Sequence, residues 1–317
     1  NIRYGRMDAP MADVTAAANR LENDILPTNR AFFGTEWQPG IDGDNRLNIL
    51  HLKKIGDIGV AYFWSGDEQV TAVNPYSNQR EMLYVSLKDA RLGSDNYYHA
   101  IAHEFQHLIQ WHIDPNEDGW LNEGMAELAA HVNGFTVDRA EDFIYATDNQ
   151  LTNLTHDPET IAADYANSYY FAAYFLDRFG EEATRALVEQ PASGPAGITA
   201  VLQDLNTGLT FDDLFADWAM SNILQSLGRG EGVYGYKSIE FAGMNPQMFG
   251  EMPVIQTHAD TVHQYGADYF NISSPTPVTV IFTGTQQVKL VDALPHSGDY
   301  FYASLPADES EMTLTRA

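Results

Sequence analysis

Residues 103–127 read HEFQHLIQWHIDPNEDGWLNEGMAE, and the reading of the whole chain works outward from them. The stretch opens with His103-Glu104-Phe105-Gln106-His107. Around it Ile101, Ala102, Phe105, Leu108, Ile109 and Trp111 are apolar, which predicts a buried helix. Residues four apart on a helix share a face, so both imidazoles can reach one metal ion, with Glu104 beside them. A buried helix does not carry two histidines and a glutamate without partners. A catalytic zinc keeps three protein ligands and leaves one position for water, so a third ligand is expected. Glu123, in the run Trp120-Leu121-Asn122-Glu123-Gly124, follows after a gap long enough to end one helix, turn and begin another. The competing reading, a surface helix with two solvated histidines, is opposed by the apolar flanks.

Ser94-Asp95-Asn96 is an N-cap signal, so the histidine helix is expected from Asn96 to His112. Asp114 to Gly119 reads as a turn. A second helix is expected from Trp120 to Val132, stopped by Asn133-Gly134. On it Glu123 and Glu127 share a face, while Leu121, Met125, Leu128 and Val132 cover the other side. Geometry alone permits either glutamate as the metal ligand. Upstream, Met11–Phe33 reads as a helix that Pro27 breaks or kinks. Arg46–Leu52, Gly59–Trp64 and Glu81–Leu87 read as strands, with a polar loop over Ser65–Arg80. Asp42-Gly43-Asp44-Asn45 can be a calcium ligand run, but a plain turn is the preferred reading. Downstream, helices are expected over Asp164–Phe179, Glu181–Gln190, Gly197–Leu205 and Phe211–Leu227, the last capped by Thr210 with Asp213. Met244–Pro253 is linker-like. Beyond it short strands are expected at Gln264–Ile272, Pro277–Phe282, Gln287–Val291, Tyr300–Leu305 and Met312–Thr315. The sequon Asn271-Ile272-Ser273 is taken as chance. The fold class is therefore α+β, divided into residues 1–242 and a small all-β domain over 254–317.

His-Glu-x-x-His followed by Trp-Leu-Asn-Glu-Gly resembles the gluzincin metallopeptidases. The wider run AHEFQHLIQWH…WLNEGMAELAA is closest in appearance to the hyicolysin-like secreted neutral metallopeptidases. The resemblance is concentrated in Tyr97–Asn133 and extends through the helices to Leu227. It implies a zincin-like catalytic domain, a small N-terminal sheet beside a helical part, that hydrolyses peptide bonds outside the cell. It also implies zinc held by His103, His107 and Glu123, with Glu104 as general base toward the attacking water. The run YANSYYFAAYFLDRFG resembles the helix of the aminopeptidase type that opens with an oxyanion-stabilising tyrosine, which makes Tyr165 the candidate donor and Tyr169 the runner-up. Glu127, one turn after Glu123, suits a place outside the ligands, orienting a zinc-bound histidine, with His131 as its own possible partner. His112 and His156 are further candidates for the cleft. In gluzincins an edge strand just before the histidine helix holds extended substrate; Glu81–Leu87 fits that place, or else it is an ordinary central strand.

The chain has 317 residues, a formal charge of −27 and no cysteine. That charge argues against nucleic acid or an anionic membrane as a partner and fits a very soluble surface, or a high-salt habitat. Without cysteine there are no disulfides, and any metal site must use histidine and carboxylate. No run is long and apolar enough to span a membrane. The first residue is Asn1 rather than a methionine, which leaves open a signal or pro-segment removed before it. Peptide or protein is the expected substrate, and endopeptidase action is favoured because no motif for holding a free amine is found. A zinc hydrolase on a non-peptide substrate and a binding or adhesion protein with a structural or decayed metal site stay open. Glu104 argues against decay, since a structural site needs no base.

Overall fold

The computed structural model describes residues 9–53, 59–155, 157–228, 230–241, 243–244, 247–249, 262–272, 279–282 and 312–315. The fold is mixed α+β. It comprises two compact units: one of residues 1–139 and 152–208, the other of residues 140–151 and 209–317.

The first unit begins with helix α1 (Met11–Arg20) and α2 (Leu26–Phe33), joined without a break by a π turn over Leu21–Ile25. Pro27 cannot donate to the turn before it and its ring crowds the carbonyl four residues back; the wider turn absorbs this, and the path continues. Pro27 therefore sits in the first turn of α2 rather than ending a helix. Strands β1 (Asn48–Leu52), β2 (Ala61–Phe63) and β3 (Met82–Ser86) form a sheet in the order β1-β3-β2. β1 runs parallel to β3 with Asn48 opposite Met82 and Leu52 opposite Ser86. β2 runs antiparallel to β3 with Ala61 opposite Val85 and Phe63 opposite Leu83. Of the two readings of Glu81–Leu87, the central strand is the one observed. The outer strand beside the histidine helix is β2.

Helix α3 (Asp95–Ile113) starts where Ser94 Oγ accepts the Tyr97 N–H at 3.3 Å. Helix α4 (Gly119–Val132) lies against both α3 and α6 (Ile161–Phe179). Its entry is anchored by Trp120, 1% exposed, edge-on to Phe171 at 5.5 Å. Burying an aromatic of this size stabilises by roughly 3 kcal/mol. One turn on, at Gly124, α4 packs tightly on α6: a Cβ there would lie 2.5 Å from the Ser168 carbonyl oxygen. No other residue fits without separating the helices. α4 ends as expected at Asn133-Gly134, where Gly134 at φ 82° turns the chain and its N–H bonds the His131 carbonyl at 2.8 Å. Helices α7 (Glu181–Val188) and α8 (Gly194–Asp204) complete this unit.

The second unit contains α5 (Ala140–Ile144), a short helix with no counterpart in the sequence reading, and α9 (Phe211–Leu224). α9 carries the expected capping box, Thr210 with Asp213. β4 (Gln247–Phe249) pairs parallel with β5 (Phe270–Ile272), so part of the expected linker is strand. β6 (Thr279–Phe282) pairs antiparallel with β7 (Met312–Thr315). The strands expected at Gln287–Val291 and Tyr300–Leu305 lie outside the described residues. The units part at 139/140, 151/152 and 208/209.

Candidate metal centre

α3 presents His103, Glu104 and His107; α4 presents Asn122, Glu123 and Glu127; α6 presents Tyr165. His103 Nε2 and His107 Nε2 are 3.1 Å apart. Glu123 Oε2 lies 3.2 Å from the first and 3.4 Å from the second. Among the described residues this is the group of histidine and carboxylate side chains that can hold a metal ion. The three side chains are 11%, 14% and 17% exposed, and Glu123 Oε2 is buried with no hydrogen bond. Three atoms each about 2.0–2.1 Å from one tetrahedral centre are separated by about 3.3 Å, the spacing seen here. Two imidazole nitrogens and one carboxylate suit zinc, copper, nickel or iron, whereas calcium and magnesium take oxygen sets. The residues present therefore fit a transition metal.

His107 is oriented by Asn122. Its Nδ1 lies 2.8 Å from Asn122 Oδ1, and an amide oxygen only accepts, so Nδ1 donates to it and Nε2 is the ring nitrogen turned toward Glu123. Burial works against charge on His107, but the carboxylate of Glu123 outweighs it and pushes its pKa up to about 9. His103 is raised by the same carboxylate against burial. Glu123 is buried too, yet the two imidazoles hold its pKa well below the usual carboxylate range.

Glu127 is 2% exposed. Its Oε1 accepts from Arg139 Nη2 at 2.7 Å and lies 4.0 Å from His103 Nδ1, while its Oε2 is 3.3 Å from His99 Nε2. Burial alone would raise its pKa; His99, His103 and Arg139 together bring it down to about 2. The expected His131–Glu127 pair is not formed. Glu127 faces α3 and Arg139, whereas His131 Nδ1 meets Tyr169 Oη on α6 at 3.1 Å.

Glu104 is 8% exposed, and its Oε2 accepts the Phe63 N–H of β2 at 2.8 Å. In this strand pair Val60 bonds Ser86 on the β3 side, so the alternate residues Ala61 and Phe63 turn their backbone groups outward. Tyr165 lies parallel to His103, ring centres 6.4 Å apart at 12°. Burial, then Glu123, push the phenol far above its ordinary value. Tyr169, 1% exposed and engaged with His131, is turned elsewhere. His112 is exposed at the end of α3, apart from the group; His156 lies outside the described residues. Asp42–Asn45 is a turn in which Asp42 Oδ1 accepts the Asp44 N–H at 2.9 Å and Asp44 pairs with Arg46.

Sequence reasoning passed over Asn122, His99 and Arg139. Asn122 stands beside Glu123, and His99 lies four before His103 on the same face of α3, so local periodicity carried a signal for both. Arg139 reaches the site only because the chain reverses at Gly134. No family model matches the chain, and no curated protein matches it in sequence.

Proposed function

We propose that the chain is a secreted zinc metallopeptidase of gluzincin type, acting as an endopeptidase, with a zincin-like catalytic part in the first unit and the strands from Gln247 onward as an appended β region. The convergence of His103 Nε2, His107 Nε2 and Glu123 Oε2 at 3.1–3.4 Å carries this proposal.

Zinc bound there supplies Lewis acidity and lets a water ionise near neutral pH. Glu104 takes the proton of the attacking water on one carboxylate oxygen and returns it to the leaving amine. Its Oε2, held by the Phe63 N–H, keeps that carboxylate in place. The Tyr165 hydroxyl donates to the oxyanion that develops on the scissile carbonyl. Asn122 keeps His107 in the ligating tautomer, and Glu127 orients His103 from outside the ligand set. The outward Ala61 N–H and C=O and the Phe63 C=O of β2 offer an extended peptide main-chain partners by strand addition, while the Phe63 N–H stays with Glu104.

The test combines metal analysis with casein hydrolysis on the purified full chain. One zinc per chain, with hydrolysis that a chelator abolishes and zinc restores, is expected. A zinc-loaded chain without peptidase activity, or activity unchanged by Glu104→Gln, would sink the proposal.

A further inference from the structure

We propose that Arg139 is a positioning residue that sets the ring of Tyr165 and acts through it. This rests on the peptidase reading, in which Tyr165 is the oxyanion donor, and concerns a residue outside both motifs.

One guanidinium serves two partners of different kinds. Nη2 donates to the buried Glu127 carboxylate at 2.7 Å, and Cζ stands 5.4 Å from the centre of the Tyr165 ring. The ring itself lies flat to His103 at 6.4 Å. Tyr165 therefore meets two planar groups, the imidazole of a candidate ligand and a guanidinium fixed by an ion pair. A tyrosine has two side-chain torsions; contacts that fix the ring also fix where its hydroxyl points. Arg139 is 31% exposed while Glu127 is 2% exposed, so the arginine covers the pair from the solvent side. Lysine cannot take over both tasks. Its ammonium can pair with Glu127, but as a single compact charge it lacks the fork that lets one group hold the carboxylate and stand over the ring at once. The two roles of Arg139 are therefore separable by substitution.

Four proteins are compared: wild type, Arg139→Lys, Tyr165→Phe and the double variant, with Arg139→Met as a further control. Thermal melts by circular dichroism establish that each is folded. Arg139→Lys should keep zinc affinity within about twofold, leave KM within about twofold and lower kcat about tenfold. In the Tyr165→Phe background the same substitution should change kcat by less than about twofold, because the group it acts through is already gone. Arg139→Met, which also strips Glu127 of its permanent cation, should weaken zinc about tenfold in chelator competition. A metal-free readout accompanies these. The near-ultraviolet circular-dichroism difference between wild type and Tyr165→Phe reports a held ring, and Arg139→Lys should remove most of it. The proposal is overturned by wild-type kcat in Arg139→Lys, by an equal loss in the Tyr165→Phe background, or by an unchanged near-ultraviolet difference. If the wild type neither binds zinc nor cleaves peptide, the peptidase reading fails. The metal-free spectrum then still decides the contact between Arg139 and Tyr165.

Discussion

Taking the protein from about pH 6 to about pH 10 with a chelator present should cost the first unit about 3 kcal/mol of stability. The source is the coupling of His107 to Glu123, which lifts the imidazole from an ordinary 6.5 to about 9. A rise of about 2.5 at ~1.4 kcal/mol per pH unit, less the small part already lost by pH 6, gives about 3 kcal/mol. The folded value lies above the unfolded one. The contribution is therefore complete below about pH 6.5 and disappears as the pH climbs through about 9. The depressed pKa of Glu123 is the same interaction seen from the other partner and is counted once. Other groups slope the same way: Glu68 is lifted to about 8 by burial and by Glu81, Asp67 and Glu36, and Glu117 to about 7, chiefly by burial. The measurement must therefore be a difference. Urea unfolding of wild type and Glu123→Gln is followed at several pH values, with and without zinc. The glutamine variant has no charge to lift His107, so the gap between the two proteins should close with rising pH in chelator. With zinc bound the trend should invert, because the metal competes with protons for both imidazoles and gains as they are lost. A wild-type-to-variant gap independent of pH in chelator would refute the coupling, and with it the convergence of the three side chains.

Glu104→Gln should retain zinc and lower hydrolysis by about 10²–10⁴-fold, measured as kcat on a quenched-fluorescence peptide. Tyr165→Phe should cost about a hundredfold in kcat with an unchanged melting temperature, while Tyr169→Phe should leave kcat near wild type; the reverse pattern would move the donor one helical turn. Metal analysis of Glu123→Ala should find the site stripped by ordinary chelators, whereas Glu127→Ala should keep zinc with affinity weakened about ten- to a hundredfold. Gly124→Ala should destabilise by about 1–3 kcal/mol in urea unfolding, because its methyl group meets the Ser168 carbonyl, and should weaken zinc by displacing Glu123.

The pattern legible in the sequence is the part that rests on neighbours in the chain. Two histidines one turn apart, the Ser94 cap, the Asn133-Gly134 stop and the Thr210–Asp213 box are all local, and each stands where the spacing puts it. What depends on pairing across long stretches was not legible. Whether Glu81–Leu87 is central or outer depends on where β1 and β2 dock, which no property of the strand itself records. The sequence points Glu127 to a ligand histidine and to His131 on its own helix; His103 Nδ1 lies 4.0 Å away, and the nearer partners are His99 on α3 and Arg139 beyond the reversal at Gly134. Pro27 misled for a different reason: its steric demand is real, but a π turn satisfies it without ending the helical path.

The division of the chain into units also has a consequence for synthesis. Residues 140–151 interrupt the first unit and belong with residues from 209 onward. As the chain leaves the ribosome, α3 and α4 emerge early with all three candidate ligands. The helix that bears Tyr165 follows only after a segment whose own companions are not yet made. The first unit is complete once residue 208 has emerged, whereas α5 must wait for α9. The discontinuous units thus set an order in which partners become available: the candidate ligand group has its own unit once residue 208 is made, while residues 140–151 gain theirs only with residues from 209 onward.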